Sequence, residues 1–180
     1  MKKPKGHVIW LTGLSGSGKT TLATALRKRL QKMNVPVHGV DGDVARQTFS
    51  KDLGFAPIDR ALNCSRAAHV ASYLKDFSIV ICSFISPLQE MRDYAREMAD
   101  GRFSEVWVNC PIEECINRDP KGMYGKLIDG KLNGIPFTGM HPRAPYIHPE
   151  FPELVLHTNV ESVDESVQKI IDYLEEEEIV

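Results

Sequence analysis

"LTGLSGSGKTT", residues 11–21, follows directly on the apolar run "HVIW" at 7–10. Three glycines, two serines and a lysine crowd a stretch that neither a regular helix nor a strand would tolerate. Within it, Gly13 to Thr20 satisfies G-x-x-x-x-G-K-[ST], where glycines let successive backbone N–H groups converge on phosphate oxygens. Lys19 can reach the β- and γ-phosphates, and the Thr20 hydroxyl can ligate Mg²⁺. The next helix, "TTLATALRKRL", offers its positive N-terminal end to the same anion. The reading is a nucleotide-binding α/β protein whose phosphate cradle is Gly13, Ser15, Gly16, Ser17, Gly18, Lys19, Thr20 and Thr21.

Outward from this loop, short apolar runs alternate with helical patterns. "HVIWLT" (7–12), "VHGVD" (37–41), "FSIVICS" (77–83), "EVWVN" (105–109) and "LVLHT" (154–158) read as strands. Runs apolar throughout, such as "SIVIC", suit a sheet covered on both faces. Helices are expected at about 19–33, 59–75, 87–100, 111–118 and 163–176. The last carries Ser162 and Glu165 at capping-box spacing, and its end, "EEEE" (175–178), is expected to fray in solvent because acids oppose the helix dipole there. The β-α-β rhythm predicts a P-loop NTPase-type three-layer α/β fold with a parallel sheet of about five strands. Residues 119–153 are rich in Gly and Pro and show no sustained period, so they are expected to form a mobile lid. The whole of 1–180 reads as one kinase-type domain.

At 180 residues the chain is long enough for a full-sized core, and 42% hydrophobic with 26% charged residues is ordinary for a soluble globular protein. A net charge of −2 gives no general field for nucleic acid or membranes, so neither is expected as a partner and anion binding must come from local clusters. Cys64, Cys82, Cys110 and Cys115 fit no zinc spacing, and Cys82 and Cys110 read as core thiols. "MKKPKGHVIWL" lacks the long apolar stretch and cleavage site of a signal peptide, and no run approaches a membrane span. The expected location is the cytoplasm.

The loop alone does not separate a kinase from a GTPase or a motor ATPase. No N-K-x-D guanine signature occurs, and "FSIVICS" ends in Ser83 where a motor would place an acid. The second strand instead ends in "VDGDVAR", which puts Asp41 and Asp43 at the carboxyl edge of the sheet, where open α/β folds bind ligands. One carboxylate can help hold hydrated Mg²⁺ while the other accepts a proton from an attacking hydroxyl. Arg46, Phe55, Arg60, Asn63 and Arg66 come next along the chain. On a helix beginning near Asp59, residues 60, 63 and 66 share one broad side, and guanidinium forks there suit sulfate or phosphate.

These motifs together resemble the adenylylsulfate kinase (APS kinase) family over nearly the whole chain. "IWLTGLSGSGKTTLA" is similar to its P-loop, "DGDVAR" to D-G-D-N-[VI]-R, and "DRALNCSR" to D-R-x-x-N-I-R-R. "FISP" resembles [AF]-I-S-P-[YF], "RDPKGMYGK" resembles R-D-x-K-G-L-Y-x-K, and "DLGF", "FTG" and "PELVLHT" also match. The resemblance implies transfer of the γ-phosphoryl of ATP to the 3′-hydroxyl of adenosine 5′-phosphosulfate, with Mg²⁺, by a homodimer. It implies Asp43 as the base, Lys19 on the transferring phosphoryl, Asp41 and Thr20 at the metal, directly or through water, and Arg118 against the ATP adenine. It implies Arg46, Arg60 and Asn63 on the phosphosulfate and Phe55 and Phe137 around the acceptor adenine. Ile85 and Ser86 would line the acceptor pocket, and Lys121 would approach the phosphates.

The departures cluster on the acceptor side. Cys64 and Ser65 stand where the family has Ile and Arg, and Val44 replaces an asparagine. Ile135-Pro136 is an insertion before F-T-G, and "MHPRAPYIHP" puts His141 and Arg143 where the family has acids. None of these departures falls in the phosphate loop at 13–21. A sister kinase acting on another small nucleotide or sugar hydroxyl, and a catalytically silent nucleotide-binding module, are the alternatives. His141 and His148 flank a tyrosine and raise a metal site only as a remote reading.

Overall fold

A computed structural model describes residues 5–132 and 136–180. The N-terminal residues 1–4 and residues 133–135, including the inserted Ile135, lie outside the described residues. Strands β1 (His7–Thr12), β2 (Val37–Asp41), β3 (Ile79–Ser83), β4 (Phe103–Asn109) and β5 (Leu154–His157) form one parallel sheet in the order β2-β3-β1-β4-β5. The central β1 is buried at every position, as its unbroken apolar run requires.

Helices cover both faces. α1 (Lys19–Lys32) and α7 (Val163–Glu176) bury Leu22, Leu26, Leu30, Ile170, Ile171 and Leu174 against one side, with Ile9, Leu11, Ile79 and Ile81. α3 (Pro57–Leu74) and α4 (Gln89–Met98) cover the other face, over Val8, Trp10, Val80 and Cys82. Trp10 is fully buried and stacks on Phe84 at 5.2 Å, so truncating it to Ala should cost roughly 3–5 kcal/mol.

Three local features differ from the sequence reading. The dipeptide Asp41-Gly42 opens a short helix, α2 (Gly42–Gln47), in which the Asp41 carboxylate accepts from Asp43 N at 2.9 Å and Val44 N at 3.4 Å. The C-terminus is anchored where the acidic run predicts fraying. Glu178 takes a left-handed φ of 53°, and Ile179 N returns to Leu174 O at 2.8 Å. Ile179 is 6% exposed and its carbonyl accepts from Lys5 N, so burial of an apolar side chain outweighs the unfavourable dipole. The capping box of Ser162 and Glu165 forms as read.

The third difference concerns residues 119–153, which are more structured than their composition implies. After α5 (Ile112–Arg118), the Asp119 carboxylate accepts from Met123 N, Tyr124 N and Gly125 N and so starts α6 (Met123–Ile128). Farther on, Tyr146 bonds Thr12, Ile147 N donates to Pro87 O at 2.8 Å, and Glu153 pairs with Arg96. The stretch approaching β5 is thus docked from the carboxyl ends of β1 and β3 down to the amino end of β4.

Candidate active site

The glycine loop between β1 and α1 is shaped by contacts that leave no room for a side chain at Gly13 or Gly16. A Cβ on Gly16, whose φ is 78°, would lie 2.8 Å from Cys115 O, and one on Gly13 would lie 2.5 Å from Val108 O. The loop is braced from outside by the Tyr124 hydroxyl, which donates to Ser15 O at 3.0 Å, and by Thr158 Oγ1, which donates to Ser17 O at 2.7 Å. Sequence reasoning misses both residues. Each sits inside a matching motif, "RDPKGMYGK" or "PELVLHT", and that is the signal by which it could have been found.

This loop forms the floor of a cleft of about 670 Å³. Ser15, Gly16, Gly18, Lys19, Thr20 and Thr21 line it, while Ser17 is fully buried beneath. Lys19 Nζ donates to Gly13 O at 2.9 Å and Leu14 O at 2.6 Å. Burial, and secondarily the ammonium of Lys121, push its pKa down to about 8, a penalty that a bound polyanion would reverse. Thr20 Oγ1 donates to Asp41 Oδ2 at 2.9 Å, which sets a hydroxyl and a carboxylate side by side. Such hard oxygen donors fit Mg²⁺, which takes few protein ligands and keeps several waters. Among the described residues no cluster of three or more His, Cys, Asp or Glu side chains offers a metal cage. His141 accepts from Arg143 N, and the His148 ring packs on Trp107 at 4.9 Å.

Asp43 stands beside this pair on α2, and its Oδ2 forms an ion pair with Lys121 from across the cleft. Toward one end lie Arg118, Thr158, Ser162 and Val163. The Arg118 guanidinium is held by Glu114 at 2.9 Å and by Thr158 O at 2.7 Å. Toward the other lie Arg46, Phe55, Arg60, Asn63, Ile85 and Ser86. Arg46 stacks 4.6 Å over the Phe55 ring and donates to Gly54 O. Asn63 is 4% exposed and its Oδ1 has no hydrogen-bond partner, an acceptor at the cleft wall with its capacity unspent.

Several residues read together from the sequence are separated. Arg66 makes a two-pronged pair with Asp52 at 2.5 and 2.8 Å and does not reach the cleft. Phe137 packs edge-on against Tyr124 at 4.7 Å in a small cluster with Cys110 and Cys115, and is not among the cleft-lining residues. Arg60 uses its fork on protein oxygens, donating to Phe55 O, Pro136 O and Thr138 Oγ1. It thus ties the Phe55 segment to the one carrying Phe137. Ser86 lines the cleft by its backbone, because its hydroxyl is turned into the core toward Trp10 and Thr12.

The described residues contain no helix long and apolar enough to cross a membrane, and all four cysteines are unpaired and buried. The family model for adenylylsulphate kinase matches residues 5–157. An adenylyl-sulfate kinase of Halothermothrix orenii is 45% identical over 98% of this chain and 93% of its own length. The structure of a Mycobacterium tuberculosis APS kinase in complex with AMPPNP and APS superposes with a TM-score of 0.88 at 40% identity, covering 96% of this chain and 99% of that one. A hexameric APS kinase from Thiobacillus denitrificans is 32% identical with a TM-score of 0.74, covering 99% of this chain and 30% of that one. With that extent of match and this cleft, the chain belongs to the adenylylsulphate kinase family.

Proposed function

We propose that the protein transfers the γ-phosphoryl group of ATP to the 3′-hydroxyl of adenosine 5′-phosphosulfate. The observation that carries this reading is a single cleft with two anion-binding ends. The phosphate loop and Arg118 form one end, Arg46, Phe55 and Asn63 the other, and Asp43 stands between. Lys19, Arg46, Arg60, Arg118 and Lys121 set five cations against the acids Asp41, Asp43 and Glu161, which suits two phosphorylated ligands in a chain whose net charge is negative.

ATP enters with its triphosphate on the loop, where Lys19 exchanges its carbonyl partners for phosphate oxygens. Thr20 and Asp41 would hold Mg²⁺, which supplies charge neutralisation on the phosphate oxygens when bound. Lys121 shifts from Asp43 toward the phosphates, and this frees the Asp43 carboxylate. The acceptor's 3′-oxygen then bonds to the γ-phosphorus as the bond to the β,γ-bridging oxygen breaks. Its proton passes to Asp43, and ADP leaves with the electron pair. Residues 119–153 would act as the cover that excludes water from this step. The unpaired cysteines support a reducing, cytoplasmic setting, and the hexameric relative supports assembly with further copies, of which a homodimer is the simplest.

Arg60, held by Pro136 O and Thr138, favours one rival reading: a sister kinase for another nucleotide or sugar hydroxyl. Acceptor-dependent ADP release across a panel of nucleotides and sugars decides between them. Turnover with adenylylsulfate is expected, and turnover only with another acceptor would refute the proposal.

A further inference from the structure

Ser86 is a non-glycine residue with a φ of 38°, in the left-handed region that L side chains resist. The side chain and the carbonyl of this residue are both fixed. Its hydroxyl accepts from Trp10 Nε1 at 3.0 Å and donates to Thr12 Oγ1 at 3.1 Å. Thr12 spends its only proton on Ile85 O at 2.8 Å, so the Tyr146 hydroxyl, 3.0 Å away, is the donor in that contact. The Ser86 carbonyl accepts from Arg92 Nη1 at 2.8 Å.

Arg92 is an unusual donor for a turn. It is fully buried in α4, its Nε lies 2.7 Å from the equally buried Glu105 of β4, and its Nη2 donates to Gln89 at 2.6 Å. Burying two charges gains little stability over an apolar pair of the same volume, so stability alone does not account for this arrangement. What it supplies is a rigid planar fork that hydrogen-bonds two acceptors at once, Ser86 O and Gln89 Oε1, while its Nε faces Glu105 as a charge pair outside hydrogen-bond geometry. The outcome of the fixation is local: between Ile79 and Pro87, Ile85 is the one residue that is not buried, and it lines the cleft with Asn63 and Phe55.

We infer that Arg92 is a positioning residue for the acceptor. Through the Ser86 carbonyl it holds the strained turn that presents Ile85 to the acceptor-binding end of the cleft, while Glu105 balances its buried charge. The inference rests on the functional reading above and adds to it a residue that does not touch substrate.

Arg92→Lys keeps the positive charge against Glu105 but replaces a two-pronged fork with one point donor. Glu105→Gln keeps the fork on Ser86 and removes the ion pair. Steady-state kinetics with adenylylsulfate and ATP varied separately, with thermal unfolding alongside, test the difference. Arg92→Lys should raise the KM for adenylylsulfate about tenfold with the KM for ATP unchanged, since small displacements of a positioning wall act on the ligand it positions. Glu105→Gln should lower Tm without that selective change. If Arg92→Lys does not fold, the neutral pair Arg92→Gln with Glu105→Gln should show the same acceptor-selective rise. Equal rises in both KM values, an unchanged acceptor KM, or an equal acceptor effect from Glu105→Gln would overturn the inference. Wild-type protein inactive on adenylylsulfate would overturn the functional reading itself, and the two failures are distinct.

Discussion

Replacing Asp43 by Asn separates catalysis from stability at the centre of the cleft. The side chain is 58% exposed and that of its partner Lys121 is 50% exposed, so the ion pair contributes at most about 1 kcal/mol to folding. For a chain of 180 residues that corresponds to a fall in Tm of about 2–4 °C at most. The loss of a general base is of another order, about 10²- to 10⁴-fold in kcat. The amide of the variant cannot take the proton of the 3′-hydroxyl, yet it keeps the shape of the carboxylate, and the backbone N–H at this position still bonds Asp41. ATP binding should tighten slightly, because Lys121 no longer has to leave an opposite charge. Recovering that 1 kcal/mol amounts to about a fivefold gain in affinity. Turnover with saturating adenylylsulfate and ATP titration by calorimetry give both quantities. An unchanged kcat would move the base elsewhere. A tenfold loss of ATP affinity would instead mean that Asp43 serves the donor, and the assignment of the two acids would be reversed.

Lys19→Ala should abolish phosphoryl transfer, since the buried ammonium is the side-chain cation built into the loop floor; near-normal turnover in this variant would remove the loop from the mechanism. A pH effect is expected at the opposite edge of the sheet, where His7 Nε2 bonds Ser104 at 2.7 Å and burial pushes its pKa down from 6.5 to about 4. The folded state disfavours the proton, so the contribution of neutral His7 is complete above pH 6.5 and is lost as pH falls toward 4, about 3 kcal/mol in all. Urea unfolding between pH 7.5 and 4 should show this slope in the wild type and lack it in His7→Gln, and parallel slopes would refute the assignment.

Much of the fold is legible because its cues are local. "SIVIC" and "HVIW" read as strands buried on both faces, and Ser162 with Glu165 marks the start of α7. The short helices α2 and α6 escape because six residues hold too few turns for a 3.6-residue period, and both are set by a carboxylate cap. Asp41-Gly42 shows the ambiguity well: the same dipeptide closes a turn or caps a helix, depending on the residues after it. The phosphate loop is readable as a motif because all its parts are contiguous. The acceptor end is assembled from α2, the Phe55 segment, α3 and the turn after β3, so helix periodicity cannot say that Arg66 turns to Asp52 while Asn63 turns inward. Nor can Arg92 be found this way, because an arginine in "QEMRDYAREM" reads as a solvated helix position until its burial is seen.

The five cations of the cleft share one property that bears on how it selects ligands. Lys19 rests on loop carbonyls, Arg46 on Gly54 O, Arg60 on three protein oxygens, Arg118 on Glu114 and Thr158, and Lys121 on Asp43. Each of the five already spends at least one donor on the protein, so an anion must displace part of what it gains. A lone phosphate or sulfate reaching one or two of these groups recovers little more than it displaces. A ligand that reaches several at once, with its base held by stacking on Phe55 or against Arg118, offsets every exchange with contacts that a simple ion cannot make. The arrangement thus discriminates by reach, favouring extended nucleotides over the inorganic anions that share their charge. In the proposed mechanism the Lys121–Asp43 pair gives that exchange a catalytic consequence, since a phosphate that competes for the lysine leaves the carboxylate unpaired.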